Sequence, residues 1–145
     1  MTERRKGGKT EGRKDRIAMW SGPRNISPAM MRAWENRLDA WVVDEPLYAH
    51  YLTQVRVNHP GVDEVIAVHE TDWRRVVEDL SGPIPEGRTI YYQKHMAHHW
   101  LPHLRGNWIL QLQNAFLIRH PAEMLPSLAA KMGPPTLSDT GLPQQ

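Results

Sequence analysis

The chain has 145 residues, 40% hydrophobic and 23% charged, with a formal net charge of +2 and no cysteine. This length supports one domain with a modest core. The lack of cysteine excludes disulfides, thiolate nucleophiles and cysteine-based zinc sites, and no apolar run nears the ~20 residues that a membrane span requires.

Residues 1–16 (MTERRKGGKTEGRKDR) carry seven Lys/Arg against three Asp/Glu, so residues 17–145 hold a net −2. The basic character therefore lies in the leader. With no apolar residue beyond Met1 it cannot join a core, and a disordered basic tail over 1–16 is expected ahead of a domain over 17–145. No aromatic residue is available there to stack on bases, so no specific nucleic-acid partner is expected. No apolar signal segment is read near the start, and the cytoplasm is the expected location.

Ile17–Trp20 reads as a buried strand. Ser27-Pro28 opens a helix, with Ser27 as N-cap and Pro28 at the first helical position. Met30, Met31 and Trp34 fall on one face of it. Trp41–Asp44 reads as a second strand ending in Glu45-Pro46, and Leu47–Gly61 as a Tyr- and His-rich, partly helical connection. Thr71 caps a helix over Asp72–Leu80, whose Trp73, Val76, Val77 and Leu80 share a stripe. Trp34 and Trp73 read as core residues. Ser81–Gly87 is a loop and Thr89–Lys94 a third strand. His98–Leu112 is mixed, because Pro102 interrupts any helix. Ala115–Arg119 is a fourth strand, and Pro121 opens a helix with Leu125, Leu128, Ala129 and Met132 on its apolar side. Gly133–Gln145 is loop-like.

Apolar strands alternating with helices predict an α/β fold: a three-layer, P-loop-type parallel sheet with helices on both faces. Ligands of such sheets bind beyond the carboxyl ends of the strands. The polar residues expected there are Ser21–Ser27, Asp44-Glu45, Lys94-His95 and Arg119-His120. Two arginines, a lysine and a histidine suit a polyanion with a proton acceptor beside it.

The run after the first strand has the layout of an anion cradle. A Gly-Pro turn frees backbone N–H groups, Arg24 brings a fixed fork of donors, and a helix N-terminus follows. It lacks the GxxxxGK[ST] form, which disfavours a phosphoryl-transfer enzyme. His95, His99 and His103 would need a helix that Pro102 interrupts, and no carboxylate joins them, so no metal is expected. Asp44-Glu45 reads either as an acceptor-positioning pair or as a solvated strand end.

From Arg16 to the last residue the chain resembles the sulfotransferases, above all small bacterial sulfotransferase-like P-loop proteins. Three motifs carry the resemblance. Gly22-Pro23-Arg24-Asn25-Ile26-Ser27 looks like the loop that binds the phosphosulfate end of 3′-phosphoadenosine 5′-phosphosulfate. Gln93-Lys94-His95 is similar to the family's Lys-His segment. Ile118-Arg119-His120-Pro121 with Ser127, eight residues after Arg119, looks like the motif that holds the 3′-phosphate. The resemblance implies sulfuryl transfer from that co-substrate to a small hydroxyl or amine acceptor. His95 would be the general base, with Lys94 or Arg24 stabilising the bridging oxygen. Gly22–Ser27, Arg119 and Ser127 would hold the nucleotide. Fixed cations and a histidine near its working pH suit that chemistry.

Three positions depart from the family pattern. Pro28 stands where a hydroxyl residue is usual, and the missing contact to a charged group costs about 1.5–3 kcal/mol. His120 stands where an acidic residue is usual. Pro126 interrupts the helix carrying Ser127, at ~3 kcal/mol or more, and is expected to kink it and shift Ser127. Gly141–Gln145 reads as an interior segment of a longer protein, so the sheet is expected to be incomplete, with one edge open to homo-oligomer formation. The alternative to an enzyme is a non-catalytic nucleotide-binding remnant.

Overall fold

The computed structural model describes residues 14–55 and 60–145. The basic leader as far as residue 13, and residues 56–59 of the Tyr- and His-rich connection, lie outside the described residues. The elements in order are β1 (Asp15–Ser21), α1 (Ser27–Glu35), β2 (Ala40–Asp44), α2 (Tyr48–Gln54), α3 (Val62–Val68), α4 (Trp73–Ser81), β3 (Ile90–Met96), β4 (Gln113–Leu117) and α5 (Pro121–Met132), with short 3₁₀ turns between them. The four strands form one sheet in the order β2-β3-β1-β4, and every pair is parallel. This is the expected α/β architecture. No helix among the described residues is long and apolar enough to cross a membrane.

Alternation along β3 divides the layers. Tyr92 stacks on Trp34 at 5.1 Å between ring centroids, which puts α1 on one face. On the other face, Ala18, Trp20 and Tyr91 pack with Val76 and Leu80 of α4 and with Leu104, Trp108 and Leu112 of the irregular segment. Trp20 is the hub. Its ring lies 4.2 Å from His95 and 5.6 Å from Trp100, and its Nε1–H donates to Asn114 Oδ1 at 2.8 Å.

Several boundaries differ from the expectations. β1 starts at Asp15 rather than Ile17, because Asp15 N–H donates to the Thr89 carbonyl at 2.9 Å and extends the parallel ladder. Ser27 is the first helical residue, and the N-cap position falls to Ile26, without a side-chain cap. Asp72, not Thr71, caps α4, accepting from Arg74 N–H at 3.0 Å. α3 was not expected; it is seven residues long and buries none of them fully. β3 runs on to Met96, so Lys94 and His95 lie within the strand. β4 ends at Leu117, opposite Ser21 at the end of β1, which leaves Ile118 and Arg119 beyond the ladder. α5 buries Met124 and Leu128 and leaves Leu125 and Met132 exposed. It also continues through Pro126 to Met132, so the proline does not end the helix.

The C-terminal stretch folds back over the strand tips in two 3₁₀ turns, Ser138–Thr140 and Leu142–Gln144. The Thr140 carbonyl oxygen approaches Gly22 so closely that a Cβ there would lie 2.6 Å from it. A side chain at position 22 would force the two segments apart.

Candidate anion-binding site at the strand tips

β1 delivers the chain to the tip of the sheet at the buried Ser21, and Gly22-Pro23 turns it outward. Arg24 then adopts a left-handed backbone, φ 59°. A side chain makes that conformation cost about 1–2 kcal/mol, so the surroundings must hold it. Asn25 supplies one tether. Its Nδ2–H donates to the Leu117 carbonyl at the end of β4, 2.9 Å, and its Oδ1 accepts from Ile26 N–H, 2.9 Å. α1 starts immediately after, so its positive end faces the loop.

The second tether joins the loop to the segment after β4. Arg119 Nη1 donates to the Arg24 carbonyl at 2.8 Å, and Arg24 Nε donates to Ser127 Oγ at 2.8 Å. Arg119 Nε also lies 3.5 Å from Glu123 Oε2. Residues 24, 119 and 127, from two distant motifs, thus meet at one place. Arg24, Asn25, Ile26 and Arg119 line an open hollow of about 240 Å³. A deeper void among Gly22, Pro23, Thr140 and Gln145 measures about 10 Å³, room for no more than about one water. Of the two, only the outer hollow has room for a group larger than a water. His120, where the family pattern has an acid, accepts from Ala122 N–H at 3.2 Å and caps α5.

Lys94 sits elsewhere than at an open tip. It is 3% exposed, and its Nζ donates to Asp44 Oδ1 at 2.7 Å and Glu45 Oε1 at 2.6 Å. Burial pulls its ammonium downward, but the hydrogen bonds and charges of the two carboxylates outweigh that and hold its pKa above the ordinary lysine value. Glu45 is itself left-handed, φ 46°, and its N–H donates to the Lys94 carbonyl at 2.8 Å. The pair Asp44-Glu45 is therefore the counter-charge of Lys94 and not merely a solvated strand end.

His95 points to the opposite face, against Trp20, and is 1% exposed. Gln93 fixes its tautomer. Gln93 Nε2 donates to the Leu80 carbonyl at 3.0 Å, which turns Oε1 toward His95 Nε2, 3.2 Å away. His95 Nε2 must carry the proton, leaving Nδ1 as the proton-accepting nitrogen. Burial first, and the Lys94 charge second, push the His95 pKa down to about 3, so the ring is neutral at pH 7. His95, His99 and His103 do not share a helical face. His99 ends a 3₁₀ turn, and His103 pairs with His50 at 2.7 Å between Nε2 atoms.

The structure thus gathers Gly22–Ser27, Arg119 and Ser127, and sets Lys94 and His95 on opposite faces of the neighbouring strand. Sequence reasoning missed Gln93 as the residue that orients His95. It also missed the partnership of Asp44-Glu45 with Lys94. The available signal was a pair of acids closing one parallel strand and a lysine closing another.

Residues 15–145 match the family described as the sulfotransferase domain. Two curated relatives from Arabidopsis thaliana are named branched-chain-amino-acid aminotransferase-like proteins 1 and 2. They are 36% identical over 129 residues and 35% identical over 128, in both cases 87% of this chain and 22% of theirs. The chain spans about a fifth of the length of these relatives. No solved structure matches it significantly.

Proposed function

The chain belongs to the sulfotransferase domain family, and from that premise we propose that it transfers a sulfuryl group from 3′-phosphoadenosine 5′-phosphosulfate to a small hydroxyl or amine acceptor. The observation that carries this is the meeting of Arg24, Arg119 and Ser127 through the 2.8 Å contacts of Arg119 with the Arg24 carbonyl and of Arg24 with Ser127. Arg24, the loop N–H groups and the end of α1 take the 5′-phosphosulfate, and Arg119 with Ser127 takes the 3′-phosphate. Binding replaces the neutral Ser127 acceptor of Arg24 with anionic oxygens, to which the guanidinium bonds more strongly.

In the transfer step the acceptor oxygen or nitrogen bonds to sulfur while the bond from sulfur to the bridging phosphate oxygen breaks. Adenosine 3′,5′-bisphosphate leaves with that electron pair, and the acceptor proton passes to a base. Arg24 faces the charge that grows on the bridging oxygen. His95 Nδ1 is the base. Burial keeps the ring unprotonated in the ligand-free protein, and the anionic co-substrate favours the protonated form once the acceptor proton arrives. Lys94 acts through its position, fixing Asp44 and Glu45.

Radiolabelled sulfur donor tests the activity. Label is expected in a hydroxyl or amine acceptor, with equimolar bisphosphate released. His95→Gln is expected to lower label transfer by about 10²–10⁴-fold while nucleotide binding stays intact, which also serves as the folding control. Nucleotide binding without label transfer to any acceptor would instead identify a non-catalytic nucleotide-binding domain, to which Pro28 and Pro126 would then be the sequence clue.

A further inference from the structure

Along the outer edge of the sheet, β2, α2, α3 and α4 enclose an open cleft of about 700 Å³, within the range of small-molecule sites. Its floor is apolar: Val43, Ala49, Val65, Val76 and Leu80 line it. Its polar groups have one sign. Asp44 and Glu45 stand at the end nearest the strand tips, Glu70 and Asp79 stand along the walls, and the lining contains no lysine or arginine. Lys94 beneath Asp44 and Glu45 offers one positive charge to two carboxylates. Arg75 lies 3.6 Å from Glu70, but both side chains are well exposed, so that pair is weak. Asp79 makes no ion pair among the described residues.

A second observation points to a ligand. Tyr91 lines the same cleft and is 5% exposed, yet its phenol makes no hydrogen bond among the described residues. Burial, and then the charge of Asp79, raise its pKa, so the hydroxyl stays neutral and has a lone pair to offer beside that carboxylate. The Tyr91 hydroxyl opens onto the cleft without a protein partner, where its lone pair can accept from a donor on a ligand.

An anion in this cleft meets four carboxylates, and a neutral apolar molecule leaves their field uncompensated. An organic ammonium ion lays its apolar body on the floor and gives its N–H donors to the carboxylates and the phenol oxygen. We propose that the cleft binds an organic ammonium ion and, given the transferase function above, that the ammonium group is the handle by which the acceptor is held. The handle itself takes no part in the transfer. Neighbouring strands lie about 4.8 Å apart, and only β3 separates β2 from β1. The Glu45 end is therefore about 10 Å from the β1 tip, a span that a bifunctional acceptor bridges.

Phenethylamine, 2-phenylethanol and phenylacetate share one apolar body and differ in charge. Ligand-observed NMR without nucleotide is expected to give binding of the amine, about tenfold weaker binding of the alcohol, and none of the acid. Glu70→Gln and Asp79→Asn, both at exposed positions, are each expected to weaken the amine about threefold, as for partly solvated ion pairs. Equal binding of all three probes, binding of none at millimolar concentration, or variants that bind the amine like the parent would overturn the inference. Adenosine 3′,5′-bisphosphate titrated into the same protein separates the two claims. Nucleotide binding without amine preference sinks the cleft alone. Amine preference without nucleotide binding upholds the cleft and sinks the transferase function.

Discussion

The double variant Asp44→Asn, Glu45→Gln loses about 3–5 kcal/mol of folding stability at neutral pH, the cost of leaving a buried charge without its partners. Lys94 is 3% exposed and donates to both carboxylates. Neutral amides still accept hydrogen bonds but remove both negative charges. The folded pKa of Lys94 lies above its ordinary value of 10.5. The contribution of the triad is therefore complete below 10.5 and is lost as pH rises through the higher folded value. Urea unfolding at pH 7 and in the alkaline range reads both effects: a large loss at neutral pH, and a flatter alkaline limb in the variant. Adding Lys94→Met to the double variant recovers most of the loss, because an apolar side chain has no charge to strand. A loss below about 1 kcal/mol, the range of exposed pairs, would mean that water already reaches the Lys94 ammonium.

Acidification exposes the second large effect. The His95 pKa is pushed from 6.5 to about 3, by burial first and by Lys94 second. A depressed folded pKa contributes stability that is present above the unfolded value and is lost as pH falls through the folded one. Stability should therefore decline from pH 6.5 downward, reaching a loss on the order of 4–5 kcal/mol near pH 3 from this ring alone. His99, pushed to about 2, adds to the same slope. Ordinary carboxylates begin to titrate below about pH 5.5, so the interval above that isolates the histidines. His95→Gln keeps the volume polar and neutral and should flatten the slope there. An unchanged slope would show that His95 does not stay buried and neutral.

How far the sequence foretold this follows from what each residue does. The four strands and the helices α1, α4 and α5 were legible because Ile17–Trp20 of β1 is a continuous apolar run, Ile90–Tyr92 opens β3 with another, and α4 carries its stripe at helical spacing. α3 was not legible, since its seven residues bury none fully and give periodicity little to register. The shift of β4 was invisible as well. Ile118 is as apolar as a strand residue, but the ladder stops at Leu117 because β1 ends opposite it. The loop, Arg119 and Ser127 were legible as a motif, and their assembly follows from the parallel order that places β1 beside β4. Register with Ala40, Trp41 and Asp44 set the remainder. A lysine reads from sequence as a free cation, and only the pairing of Asp44 with Lys94 across adjacent strands reveals its counter-charge. The tautomer of His95 depends on Gln93 and on the Leu80 carbonyl of α4, a contact between layers that no local pattern encodes.

The proposal that Arg24 and Arg119 hold one doubly phosphorylated nucleotide is tested most directly by calorimetric titration of adenosine 3′,5′-bisphosphate. One site per chain is expected, and Arg24→Ala and Arg119→Ala should each lower affinity by about tenfold to a hundredfold, as for lost charge-assisted hydrogen bonds. No heat at millimolar nucleotide, or parental affinity in both arginine variants, would contradict it.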